Sequence, residues 1–252
     1  MLPSVFVAHG APLLATDAVR GEPLRRWGQA LPRPQAILAV SAHWEASPLS
    51  LGAVSARDVV YDFWGFPAEL YAVRYAAPGA PELAARVAAL VAPRALARTE
   101  RGLDHGVWTP LVHLFPNADV PVLQISMPLD LDAAALFALG RALAPLRGEG
   151  VLILCSGNLV HNLRQVDWNE DDPPQFWAKQ FDDWIGSVLL HRDWDALVDY
   201  RKRAPQLRMA HPTEEHLRPV LVAAGAAAHE SVSFPLVGWE MGSVSRRSVQ
   251  FG

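Results

Sequence analysis

The sequence predicts an α/β fold: a single-domain sandwich in which a mainly parallel or mixed central sheet is flanked by helices. Three observations carry this. Apolar runs at 4–8, 36–41, 120–126 and 151–155 lack polar alternation, as strands covered on both faces do. Helix-like stretches separate these runs, which is the pattern of a layered α/β protein. Finally, 252 residues with 51% hydrophobic content and a mean hydropathy of +0.11 suffice for one sizeable core. Residues 1–252 therefore read as one domain, without repeat, low-complexity tract or linker.

Taken in order, the first strand is followed by a short helix at 22–31 and a second strand at 36–41. Residues 81–91 place Leu83, Val87, Leu90 and Val91 on one side of a helix that Pro81 starts and Pro93 stops. After the strand at 120–126 comes an Ala/Leu-rich helix at 132–146, with Asp132 as its N-cap. The strand at 151–155 leads through a polar loop to a helix at 175–190, where Phe176, Phe181, Trp184, Ile185 and Val188 recur at helical spacing. Residues 195–203 extend that helix. A further helix at 217–228 and strands at 231–237 and 243–251 close the chain.

Charge and composition exclude several functions. A formal charge of -4 and a pI near 6.1 offer no basic surface to a phosphate backbone, so nucleic acid is not an expected partner. The N-terminus lacks a basic segment followed by a long apolar one, so no signal peptide is expected. The longest apolar runs, such as 220–228, fall short of the ~20 residues that span a bilayer, and a soluble protein is expected. The single cysteine, Cys155, lies within an apolar run and reads as a small buried side chain in a reducing, cytoplasmic compartment.

Histidines carry the chemical signal. His9, His43 and His161 each follow an apolar run, and in α/β sheets ligands gather at the carboxyl ends of strands. The stretch His211-Pro212-Thr213-Glu214-Glu215-His216 is the densest in ligand atoms. If Thr213 caps a helix, Glu214 and Glu215 sit in a first turn that stabilises carboxylates without any metal. An imidazole gains nothing there, so His216 is the preferred ligand of the segment and His211 the second choice. Asp104-His105-Gly106 reads as an ordered loop, either an Asx-type turn or part of an active site. His113, His191 and His229 read as structural or surface residues. The aromatic loop Tyr61-Asp62-Phe63-Trp64-Gly65-Phe66-Pro67 either plugs the end of the core or receives a planar substrate.

These stretches resemble the class III extradiol ring-cleaving dioxygenases, and within them the small single-chain group similar to 4,5-DOPA dioxygenases. The resemblance runs from Val7-Ala8-His9-Gly10-Ala11-Pro12 to Gly242-Ser243-Val244-Ser245. Its most specific pieces are Leu31-Pro32-Arg33-Pro34-Gln35-Ala36-Ile37, Ser41-Ala42-His43-Trp44, the aromatic loop, Leu103-Asp104-His105-Gly106, the stretch from Ser156 to Leu163 and Pro212-Thr213-Glu214-Glu215-His216. It implies iron, Fe(2+), held by His9, His43 and His216, with His161 as the catalytic base that also approaches the metal. Zn(2+) suits the same imidazoles. The resemblance further implies His105 as a second active-site imidazole. Trp44, Phe63, Trp64 and Phe66 are the expected substrate-binding residues, a catechol and O2 the partners, and a muconic semialdehyde the product. Many class III enzymes use two histidines and a carboxylate, so Glu214, Glu215 and Glu240 remain alternatives to His216. Assembly into a homo-oligomer is compatible with the sequence. Two rival readings stay open: a zinc hydrolase with a metal-bound hydroxide, and a non-catalytic metal- or ligand-binding protein like the Memo-like relatives of this fold.

Overall fold

The continuous apolar runs become strands whose successive side chains enter two different cores. In the computed structural model, which describes residues 1–167 and 173–252, the strands are β1 (Ser4–Ala8), β2 (Ala36–Ala46), β3 (Leu49–Leu51), β4 (Leu96–Arg98), β5 (Val122–Pro128), β6 (Val151–Gly157), β7 (Val232–Leu236), β8 (Trp239–Glu240), β9 (Val244–Ser245) and β10 (Ser248–Phe251). Phe6, Leu38, Val40, Ile153 and Cys155 point into one core. Val5, Val7, Ile37, Ala39, Leu152 and Leu154 point into the other. Burying each large aliphatic or aromatic side chain contributes about 1.5–3 kcal/mol, so a run with no polar partner face is stable only between two helical layers.

The main sheet runs β4-β3-β5-β2-β6-β1-β10-β7. Its inner strands β5, β2, β6 and β1 are parallel, whereas β10 and β7 add antiparallel pairs on one side and β3 an antiparallel pair on the other. Of the two predicted arrangements, the sheet is mixed. Strands β8 and β9 form a separate antiparallel ribbon. The expected strand at 243–251 is thus broken into β9 and β10. Between them, Arg247 turns to Asp182, whose carboxylate also accepts from the Ser245 hydroxyl at 2.6 Å.

Helices follow the caps more closely than the apolar pattern. Helix α1 (Ala18–Ala30) starts earlier than predicted because the Asp17 carboxylate accepts from Val19 N and Arg20 N at 3.0 and 2.9 Å. Helix α2 (Pro81–Val91) has its predicted bounds. Helix α3 (His105–Leu114) begins where a loop was predicted. Asp132 caps α4 (Ala133–Leu143) through Ala135 N at 2.8 Å, and Pro145 opens the separate short helix α5 (Pro145–Gly148). Helix α6 (Phe176–His191) stops at Arg192, which adopts a left-handed φ of 57°. Residues 195–203 therefore do not extend it and form α7 (Trp194–Val198) and α8 (Tyr200–Arg203) instead. Two more helices, α9 (Leu207–Ala210) and α10 (Pro219–Ala226), complete the chain. The polar loop predicted ahead of α6 includes residues 168–172, which lie outside the described residues.

Register places the site. Ala8 pairs with Gly157 and Ser41 with Ser156, so His9 and His43 lie just past one common row at the carboxyl edge of the parallel strands.

Candidate metal centre

His9 is 1% exposed and its Nδ1 lies 2.8 Å from Ser156 Oγ. The Ser156 hydroxyl donates to the Gly106 carbonyl, so its oxygen accepts the His9 Nδ1–H, and His9 Nε2 keeps its lone pair. That nitrogen faces His43 Nε2 at 3.0 Å. His216, 4% exposed, donates from Nδ1 to Glu215 Oε1 at 3.0 Å, and its Nε2 is buried with no partner among the described residues. Ligand atoms of His9, His43 and His216 lie within 4.8 Å of one another. Nitrogens this close, with one left unpaired in the protein interior, suit a cation that all three can bind.

Burial keeps these rings neutral. It lowers His9 and His216 well below the ordinary imidazole range, with further lowering from their imidazole neighbours. His43 is lowered to about 3 by burial and by His105. Neutral imidazoles are the form that ligates a metal.

His161 stacks on His216 with ring centroids 3.5 Å apart and planes 13° from parallel. Burial pushes it down to about 4, while the Glu215 charge pulls the other way. It is therefore the free base at neutral pH. His161, Glu215 and His216 also present atoms within 4.8 Å of one another, so His161 sits at the edge of the ligand cluster.

On the opposite wall, Asp62 accepts from both the backbone N and the Nδ1 of His105, at 3.0 and 2.9 Å. Burial alone would raise the Asp62 carboxyl, but these bonds hold it below its usual range. His105 opens α3, with its ring centroid 3.9 Å from that of His43. Asp104 stands at the N-cap position with a fully buried carboxyl, which burial and the neighbouring Asp62 charge push upward. Gly106 allows this approach: a Cβ there would lie 2.5 Å from Ser41 Oγ and 3.0 Å from His43 Cδ2.

The remaining sequence candidates divide. Phe63 lies edge-on to His105 at 5.6 Å, and Phe66 packs on Phe63 at 5.3 Å. Trp64 is 87% exposed, on the solvent side of the loop rather than among the imidazoles. Trp44 is buried with the Arg101 guanidinium 5.6 Å from its ring centroid, and among the described residues no ring contact joins it to the histidines. His211 donates from Nε2 to Leu159 O at 2.7 Å and belongs to no ligand group among the described residues. Thr213 caps no helix: α10 starts at Pro219, and the Thr213 hydroxyl donates to Glu215 at 3.1 Å. Glu214 pairs with Arg201 and Tyr200, and Glu240 lies 3.5 Å from Arg246, so neither is in a ligand group among the described residues. Glu215 is in one, where it orients His216. Sequence reasoning missed the roles of Asp62, Ser156 and Glu215. Asp62 left a signal as an acid inside an otherwise aromatic stretch, and Glu215 left one as a candidate ligand beside His216.

Buried imidazoles at the carboxyl edge of the parallel strands, with His9, His105 and His216 each donating to an acceptor behind the ring, form a site suited to a metal ion on an α/β scaffold. Residues 10–252 match the family model described as the catalytic LigB subunit of aromatic ring-opening dioxygenase, and the chain belongs to that family. It is 39% identical over 260 residues to the 4,5-DOPA dioxygenase extradiol of Escherichia coli K12, covering 100% of this chain and 95% of the relative. The Beta vulgaris 4,5-DOPA dioxygenase extradiol is also 39% identical, over 98% of this chain and 95% of its own. A crystal structure of an uncharacterized Escherichia coli K12 protein superposes with a TM-score of 0.86 at 37% identity, covering 100% of both chains. The protein is an extradiol dioxygenase by family, which favours ring cleavage over the hydrolase and binding-protein readings. No helix among the described residues is long and apolar enough to cross a membrane.

Proposed function

We propose that the protein opens a catecholic ring, DOPA or a related catechol, beside its diol with O2, using Fe(II) held by His9, His43 and His216. The observation that carries this reading is the convergence of three imidazoles whose Nδ1 sides face Ser156, Asp62 and Glu215, leaving Nε2 for the metal. When bound, Fe(II) supplies a Lewis-acidic, redox-active centre where diol and O2 meet; Zn(II) fits the same nitrogens without the redox chemistry.

The chain's own residues supply the rest. Neutral His161 takes a proton from a catechol hydroxyl, and Glu215 nearby helps it hold that charge. Asp62 fixes the His105 ring through the Nδ1–H it accepts, which leaves Nε2 for a hydrogen bond with a substrate hydroxyl. Phe63 and Phe66 give the ring an apolar wall and reduce access of water. The product is a muconic semialdehyde carrying both oxygen atoms. Buried Cys155, its thiol pushed up by burial, is inert and fits a reducing cytoplasm, where association into a homo-oligomer is compatible with this function.

The test is Fe(II) reconstitution under nitrogen followed by oxygen-electrode measurements over DOPA, caffeate and protocatechuate. Stoichiometric oxygen uptake with a yellow semialdehyde supports the reading. No uptake with any catechol sinks it.

A further inference from the structure

Several interior guanidinium groups of the chain meet a carboxylate: Arg147 meets Glu230 at 2.7 Å, Arg218 meets Glu45 at 2.7 Å and Arg247 meets Asp182 at 2.6 Å. Arg101 differs. It is half-buried, and among the described residues its Nε has no hydrogen-bond partner and its Nη2 reaches only the His43 carbonyl, at the 3.5 Å limit of a hydrogen bond. No acid among the described residues pairs with it. Its guanidinium lies over the Trp44 ring, 5.6 Å from the centroid, and that face offsets only part of the cost of desolvating a cation. The arrangement lacks one component, a carboxylate, for which a planar fork of N–H donors is well matched.

Its place in the fold says where that carboxylate comes from. Arg101 Nη2 lies at the His43 carbonyl, so its guanidinium abuts the backbone of one imidazole-bearing segment of the site's wall. A catechol with its diol at the imidazole cluster and a short acidic side chain extends beyond the ring by a few bonds. That side chain can reach along this wall.

We propose that Arg101, carried on the face of Trp44, is a carboxylate subsite that selects catechols bearing an acidic side chain, such as dihydroxyphenyl-alanine, -propionate or -acrylate types, over uncharged catechols. The proposal rests on the catechol reading and adds a specificity-determining residue to it. It also gives Trp44 a part in substrate recognition that does not require contact with the ring being cleaved.

The experiment is calorimetric binding to Zn(II)-loaded protein under nitrogen, which separates binding from turnover. The ligands are 3-(3,4-dihydroxyphenyl)propionate and its amide, equal in shape and different in charge. Wild-type protein is expected to bind the acid about 10- to 100-fold more tightly, as loss of a charge-assisted hydrogen bond predicts, and the preference should shrink with added salt. In Arg101→Met the acid-to-amide ratio should fall to near unity. In Arg101→Lys, which keeps the charge and stem but not the fork, it should fall several-fold, and this variant serves if the methionine form does not fold. Equal wild-type affinity for acid and amide overturns the subsite while leaving the catechol reading intact. A ratio unchanged in the variants overturns it as well. Failure of wild-type protein to bind either ligand overturns both.

Discussion

Glu215 touches His216 at 3.0 Å, Ser156 touches His9 at 2.8 Å, and Asp62 touches His105 at 2.9 Å. Each of these three imidazoles is therefore only as well aimed as the acceptor behind it. Glu215→Gln keeps an acceptor but removes the charge, so metal affinity should fall about 10- to 100-fold in a chelator competition, with the fold unchanged by circular dichroism. His43→Ala should lose the metal, whereas His161→Ala should retain it and lose about 10²- to 10⁴-fold in catechol turnover; normal turnover by His161→Ala would remove it as the base. The histidines were legible because a residue after an apolar run lands at a strand end. Their acceptors were not: Ser156 is 147 positions from His9 and Asp62 is 43 from His105, and nothing in local pattern encodes such a pairing. The two glutamates at 214 and 215 misled for a related reason. A helix start explained both, but distant Arg201 and Tyr200 hold one and the adjacent imidazole holds the other.

At the scale of elements, the end of β6 is the tightest contact in the site. A Cβ on Gly157 would lie 2.1 Å from the His216 carbonyl oxygen, a backbone atom that has no rotamer to escape by. Gly157→Ala should cost about 1–3 kcal/mol or more, read from the urea midpoint, and should weaken metal binding because it displaces the segment carrying His216. Retained stability and metal affinity would show that β6 does not set the position of that ligand. The inner strands, α2 and the Asp132-capped α4 were legible because burial and capping are local signals. The start of α3 was not. Gly and Pro around Asp104 suggest a loop, yet His105 is anchored from outside by Asp62 and the helix begins there.

For the molecule as a whole, the site makes stability depend on pH. Burial lowers His43 to about 3 and His161 and His211 to about 4, with His9 and His216 also well below the ordinary value. In the unfolded chain these groups take protons below about pH 6.5. Folding with lowered values means the unfolded state binds more protons, so stability rises with pH across this window. The metal-free protein should hold its full stability above about pH 6.5 and lose it progressively as the pH falls toward about 4, read by urea unfolding; a flat profile would mean that the rings are not neutral in the folded state. Adding metal at 100 times its dissociation constant should stabilise neutral protein by about 2.7 kcal/mol, and a chelator should reverse this.

His9 follows the first strand and His216 precedes the last long helix, with His43, His105 and His161 between them. No early folding intermediate can own this site, because β1 joins β6, and β6 joins β2, only by closing long loops. Metal capture should therefore mark the end of the folding reaction. In stopped-flow refolding of the metal-free chain, a metal indicator should report uptake on the slowest phase of tryptophan fluorescence and not before it.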